Sequence, residues 1–493
     1  MTIEKVVSGK HHREQAGTGL GLFALIALVV GSMLGGGVYS LPQNMAASSA
    51  LGPIFISWAI AGFGIYFIAN SFRMLSDERP DLQAGIYMYG REAFGPMMGF
   101  ISAWGYWLMA CLGNVAFAVI LMEALDFWFP GTFTGGNTLA AVIGGSILIW
   151  GYYFVVLAGV KQASILNNIG TIAKVVPLLL FILILIWGFD FSKFEFNFWG
   201  SGAPATGSSS LGSLKDQISA PMLVTLWAFI GVEGAVVLSG RARDKKSIGR
   251  ATLIGFLIAL IIYTLLSVMP WGHLDQPTLE KLANPSTAGV LDAVVGDWGA
   301  WLMNLGLVVS VLAGWLAWTL LLTEIPFVAG KNGTFPKSFA KSNKNGVGTI
   351  SLLASSMVMQ AAMILVYFSD NAWHTMLSVT TVMVLPAYLC SVLFMIMVGR
   401  KMTGEGRRMG IASGVIGTIF CLYMFYAGNL KFVALVPVLL LAGIPVFMRA
   451  RRDSGDGKPL FQGKEPIYLG VLVALVIGVV FLFATGAEKL SSI

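Results

Sequence analysis

The sequence predicts an all-α polytopic membrane fold with about 13 transmembrane helices, from its composition, its apolar runs and the placement of its basic residues. Of its 493 residues, 56% are hydrophobic and only 11% charged. Thirteen apolar runs of roughly 20 residues, each long enough to cross a bilayer as a helix, recur along the chain. The basic residues alternate with these runs. With the N-terminus placed in the cytoplasm, 25 of the 31 Lys and Arg fall in cytoplasmic segments and five in opposite-side segments. That asymmetry is the positive-inside pattern, and thirteen spans then place the C-terminus outside. Lastly, the first and sixth runs are both interrupted by glycine at mid-depth, which points to two inverted five-span repeats.

The spans begin near Leu20, Leu51, Phe94, Thr138, Ser164, Ala220, Ile248, Ala288, Gly348, Ala372, Met409, Leu430 and Pro466. Residues 1–17 read as a polar cytoplasmic tail, 18–400 as a ten-helix core and 401–493 as accessory helices 11–13. In the first span, "GSMLGGGVYSLP" breaks the helix at Gly35, Gly36 and Gly37. Interior glycine costs about 0.5–1 kcal/mol against alanine, and open backbone in hydrocarbon costs several kcal/mol per unpaired group. Such a break is tolerated where a ligand uses it. The N–H groups of Gly36, Gly37 and Val38 would open a half-helix whose positive end suits a carboxylate.

Between the second and third spans, Ser76–Gly95 mixes charge, Pro, Gly and Tyr, unlike an ordinary connector. In the third span, Tyr106 and Asn114 lie about two turns apart on one face; the asparagine could equally tie two helices together. Lys174 falls inside the fifth span, where a basic side chain is costly and functional by default, unless it snorkels to the cytoplasmic surface. The sixth span, Ala220–Gly240, breaks around Gly231–Gly234 and Glu233. Its unwound end offers carbonyls, those of Trp227 and Ile230 among them, to an ammonium group. Carboxylate at one break and ammonium at the other is the outline of an α-amino acid. Glycine used only for close helix packing would explain either break alone.

In the eighth span Trp315 and Trp318 stand one turn apart, while Glu324 reads as a cytoplasmic helix-end residue. Trp104 and Trp373 fit an interfacial belt as well as a site. His273 and His374 fall near the outer span ends as surface residues. Cys111, Cys390 and Cys421 lie within spans and form neither a disulfide framework nor a metal spacing.

The segments "GSMLGGGVYSLPQNMA", "PDLQAGIYMYGREAFG", "SAWGYWLMACLGNVAF", "TLWAFIGVEGAVVLSGRA" and "GWLAWTLLLTEIPFVAGKNGTFPKSFAKSNKNG" resemble the basic amino acid/polyamine antiporters of the amino acid–polyamine–organocation superfamily. The resemblance covers the ten-helix core and implies the LeuT-type five-plus-five inverted repeat. It implies that Gly36 and Gly37 meet a substrate carboxylate, with Gly35 beside them in the binding site, although relatives often carry serine where Gly36 stands. The α-amino group would go to carbonyls of Met33, Trp227 and Ile230, with Ala228 at the same break. Asn114, with the carbonyls of Met109 and Ala110, would meet the distal cationic head. Trp318 would stack on the aliphatic stem and Trp227 would cover it. Tyr106, Trp227, Trp318 and Glu233 would be gates, and Lys174 and Glu233 coupling residues. Lys174 resembles a lysine that replaces the cation of sodium-coupled relatives between helices one, five and eight.

Aromatic faces hold a guanidinium or ammonium at about 0.5–2 kcal/mol each without a fixed counter-charge, which lets an exchanger release its cargo. The expected function is therefore antiport of small cationic amino acids by alternating access in a bacterial cytoplasmic (inner) membrane. Within the family, the third-span and eighth-span wording and the thirteen-span length most resemble the arginine/ornithine-exchanging members, which implies electroneutral arginine/ornithine exchange. The same fold also accommodates exchange of a basic amino acid for its decarboxylated amine (lysine/cadaverine, arginine/agmatine, histidine/histamine) and proton-coupled symport. No catalytic residue, metal or cofactor is expected: H-E-x-x-H is absent and no nucleophile–base pair stands out. The basic charge anchors topology in the bilayer rather than contacting nucleic acid, and the resemblance allows monomer or homodimer.

Overall fold

The computed structural model describes residues 21–82, 85–159, 163–195, 197–200, 211–234, 245–455 and 459–485. The expected N-terminal tail, residues 201–210 of the outer loop after the fifth span, and the C-terminus lie outside them. The main helices are α1 (Leu22–Met33), α2 (Gly36–Ala46), α3 (Leu51–Glu78), α4 (Tyr87–Phe94), α5 (Pro96–Leu125), α6 (Leu139–Leu157) and α7 (Ala163–Ile186). There follow α8 (Met222–Ala228), α9 (Lys245–Val268), α10 (Ser286–Val295), α11 (Asp297–Lys331), α12 (Thr349–Val366), α13 (Ala372–Lys401) and α14 (Gly404–Ala427). The chain closes with α15 (Leu430–Leu441), α16 (Ile444–Ser454) and α17 (Glu465–Ala484).

Ten helices are long and apolar enough to cross a membrane, or eleven when α1 and α2, bent by 54°, count as one span. The expected count of thirteen is not reached among the described residues. The fifth span is helical over Ala163–Ile186, but only Lys174–Ile186 counts as an apolar helix. The sixth leaves the described residues after Gly234. Some boundaries shift for local reasons. The eighth span starts at Asp297 rather than near Ala288, because Gly296 (φ 81°) turns the chain sharply after α10. The third starts at Pro96, where Gly95 (φ 94°) separates it from α4 and proline suits a first helical turn.

Two packing groups emerge from the helix contacts. In one, α1, α3, α8 and α9 lie together; in the other, α5, α6, α11 and α12 do. Helix α13 touches both, packing on α5, α3 and α8. The first group is braced by rings. Phe229, just past α8, meets Trp58 edge-on at 6.0 Å and Tyr263 at 5.4 Å, each such pair contributing about 0.5–1.5 kcal/mol beyond burial. The broken sixth span is thereby fixed to α3 and α9.

The loop before the third span carries α4, which packs on α5 and α13. The Arg91 guanidinium donates to Asn332 O at 2.9 Å and to Thr334 Oγ1 at 3.0 Å. Asn332 Nδ2 in turn donates to Tyr87 Oη at 2.8 Å. The segment is thus clasped to the end of α11.

Candidate functional site

Both expected breaks are present, and they face each other. Leu34 leaves the helix (ψ 82°), Gly35 is extended, and a new helical segment opens at Gly36. The Gly35 N–H turns back to Met33 O at 2.8 Å. It therefore does not serve Gly31 O, as a continuing helix would require. In the sixth span α8 ends at Ala228 and a run of turns follows, with Gly231 at φ 106°. That left-handed backbone belongs to glycine, and a Cβ there would also meet Ser32 O at 2.8 Å. Ser32 Oγ donates to Gly231 O at 2.8 Å, so one break is hydrogen-bonded to the other. Met33 O takes the Gly35 N–H and Trp227 O takes the Ile230 N–H at 3.1 Å, leaving each a second lone pair.

Trp227 lies across the first break. A Cβ on Gly37 would stand 1.7 Å from its Cζ3, so the indole sits on the backbone itself. Gly36 and Gly35 are similarly shadowed by Val311 and Phe117. On its far side Trp227 meets Trp373 edge-on, with centroids 5.4 Å apart and planes at 87°. Trp373 is buried, and its indole N–H reaches Asn44 Oδ1 at 3.4 Å. Beyond the pair opens a cavity of about 700 Å³ whose walls include Asn44, Trp373, Glu123, Asp216 and Asp370. Three acidic side chains and no Lys or Arg stand among its lining residues, a charge pattern that suits cations better than anions.

Glu233 is fully buried at the second break and held from three directions. Tyr106 donates to its Oε1 at 2.5 Å, Tyr388 to its Oε2 at 2.6 Å, and the Gly231 N–H to Oε2 at 3.1 Å. One carboxyl thus joins the third, sixth and tenth spans. Asn114, also fully buried, donates from Nδ2 to Thr319 Oγ1 at 3.1 Å, while its Oδ1 has no protein partner. Met109 and Ala110 sit in the unbroken α5, where their carbonyls also serve the helix ladder. Trp318 is half-buried, one turn from the fully buried Trp315, which stacks on Tyr152 at 5.8 Å.

Lys174 is buried, and its Nζ donates to Gly31 O at 3.1 Å. It supplies the hydrogen that the break withdrew from that carbonyl. A Cβ on Gly314 in α11 would stand 3.4 Å from the same Nζ, so the amine lies between the first and eighth spans and does not snorkel. Glu324 and His374 are exposed. Among the described residues no group of three His, Cys, Asp or Glu could hold a metal.

Sequence reasoning did not single out Tyr388 or Thr319, and it left Trp373 between belt and site. A tyrosine and a threonine inside apolar runs carry no spacing signal, and only contact reveals their partners.

The model of the amino acid permease family matches residues 20–436. A chain of Chlamydia pneumoniae named arginine/agmatine antiporter is 50% identical over 483 residues, covering 97% of this chain and 99% of its own length. Chains with the same name from Chlamydia abortus and Chlamydia felis are 48% and 49% identical, covering 97% and 96% of this chain and 99% and 98% of theirs.

Proposed function

We propose an exchange of arginine for agmatine, from the premise that the chain belongs to the amino acid permease family. A permease carries its solute and is not an enzyme. The observation that carries the proposal is near full-length identity of about half to chains named for that exchange. Those names specify agmatine, so they favour the decarboxylated-amine alternative over arginine/ornithine exchange.

The geometry supplies a physical reason. Agmatine lacks the carboxylate, so a site serving both cargoes must tolerate its loss. Backbone N–H groups at Gly36 and Gly37 are neutral donors, and leaving them without an anion strands no charge. An Arg or Lys anchor would be left uncompensated, at a cost of several kcal/mol. Lys174, the buried basic side chain among the described residues, is turned to Gly31 O instead. Asn114 Oδ1 takes the guanidinium common to both cargoes. Trp318 stacks on the stem, Trp227 with Trp373 closes the path to the acidic cavity, and Tyr106 with Glu233 closes the opposite path. The acidic cavity faces outward, the N-terminus is cytoplasmic, and helices 18–400 form the moving core beside accessory helices 401–493.

Arginine carries one net positive charge and agmatine two, so arginine entry against agmatine exit moves one positive charge outward. A potential of 100 mV acts on that charge with about 2.3 kcal/mol, roughly fiftyfold in accumulation ratio. Liposomes loaded with agmatine are expected to take up labelled arginine, faster with the interior positive than negative. Uptake supported by internal ornithine and not agmatine would overturn the pair. Uptake into empty liposomes under a pH gradient would mean symport.

A further inference from the structure

We propose that Thr319 is a positioning residue that sets cargo specificity by locking the Asn114 amide with its oxygen toward the cationic head. The inference rests on the proposed role of Asn114 at the distal end of the site. An amide can present either end, oxygen or nitrogen, and its surroundings decide which. Here the decision comes from one proton. Thr319 Oγ1 donates its only hydrogen to Trp315 O, one turn back, at 2.7 Å. While that hydrogen serves Trp315 O, the oxygen accepts from Asn114 Nδ2 at 3.1 Å. The reversed amide would have to draw that hydrogen away from Trp315 O, giving up one of the two bonds that now coexist.

Both side chains are buried, so water cannot substitute for either partner. The consequence is an Asn114 Oδ1 enclosed in the protein with nothing to accept from. A guanidinium has only donors and satisfies it. A urea of the same shape, as in citrulline, satisfies it only when turned to present its NH2, fails when its carbonyl oxygen faces the acceptor, and brings no positive charge. A site that buries an acceptor for a donor discriminates far more sharply than one relying on shape. Thr319 thus acts on specificity without touching the cargo.

The test uses full-length protein in agmatine-loaded liposomes, with arginine KM and inhibition by citrulline as readouts. Thr319→Val keeps the shape and removes the hydroxyl, freeing the amide to turn. The expected result is an arginine KM raised about tenfold at an unchanged maximal rate, with citrulline inhibition equal or stronger. The arginine-over-citrulline preference then falls about tenfold, and Thr319→Ser restores it. An unchanged preference, or equal weakening toward both compounds, would overturn the inference, because a hydroxyl that merely joins two helices moves both alike. Thr319→Ala serves the same comparison should the valine variant not fold. Wild-type protein inert toward arginine would sink the functional reading, whereas normal wild-type exchange with an unchanged preference in the variants sinks this inference alone.

Discussion

The indole of Trp227 rests on the backbone of Gly37, where a Cβ would stand 1.7 Å from Cζ3 and 1.9 Å from Cη2. No side chain fits beneath the ring, so the proposed gate closes on a position only glycine can hold. Gly37→Ala is expected to push the indole off the break and away from Trp373, 5.4 Å distant. Overpacking of this kind costs about 1–3 kcal/mol, and exchange should fall at least about tenfold in a folded protein. Gly151→Ala is the control, because a Cβ there meets nothing within 4 Å. Labelled arginine exchange with a melting curve for each variant checks both; equal activity in the two would detach Gly37 from the gate.

Lys174 allows two opposing costs to be compared. Burying its amine at mid-span costs about 2.5–3.5 kcal/mol on insertion scales. Removing it leaves Gly31 O without a donor, at about 1–3 kcal/mol. The first is the larger, so Lys174→Met is expected to leave Tm unchanged or raised while exchange drops by tenfold or more. Lys174→Met that exchanges normally would remove both the cation-substitute and the proton-carrying roles. A large fall in Tm instead would make the lysine a structural donor first.

Much of this was legible before any coordinates, and the reason is local. Glycine runs at Gly35–Gly37 and around Gly231 are backbone signals, and each break lies within a few residues of its expected place. Lys174 was legible because hydrocarbon makes a basic side chain conspicuous. What escaped depends on three-dimensional contact. Tyr388 lies 155 residues from Glu233, and Thr319 lies 205 from Asn114. Nothing along a helix face announces such partners. The belt-or-site ambiguity of Trp373 has the same origin, since depth at a span end is not encoded in spacing and its burial against Trp227 shows only in three dimensions.

Glu233 is shared by two hydroxyls, so its tyrosines should not behave independently. Tyr106→Phe and Tyr388→Phe are each expected to lower stability by about 1–3 kcal/mol, as for a hydrogen bond to an acidic group. Groups in one network commonly couple by about 0.5–3 kcal/mol, so the double variant should depart from the sum of the singles. Thermal or denaturant unfolding of the four proteins closes the cycle. Strict additivity would mean that the two hydroxyls act on different elements. Glu233→Leu, which strands both hydroxyls, should be worse than either single change and should abolish exchange.

The last contact to test lies far from the cargo, where Arg451 Nη2 meets Glu465 Oε1 at 2.6 Å with side-chain exposures of 17% and 5%. The same carboxyl accepts from Met97 N at 3.3 Å and Gln462 N at 2.9 Å. It therefore joins α16 and α17 to the first turn of α5, the helix that carries Tyr106 and Asn114. Removing one partner of a buried pair leaves the other uncompensated, so Arg451→Met is expected to destabilise by about 3–5 kcal/mol. Replacing both, as Arg451→Met with Glu465→Leu, removes the stranded charge and should recover most of the loss, short of the bonds to Met97 and Gln462. Melting curves of the single and double variants decide it. A double variant no better than Arg451→Met would show that the backbone bonds of Glu465, and not its charge pairing, hold the accessory helices to the core.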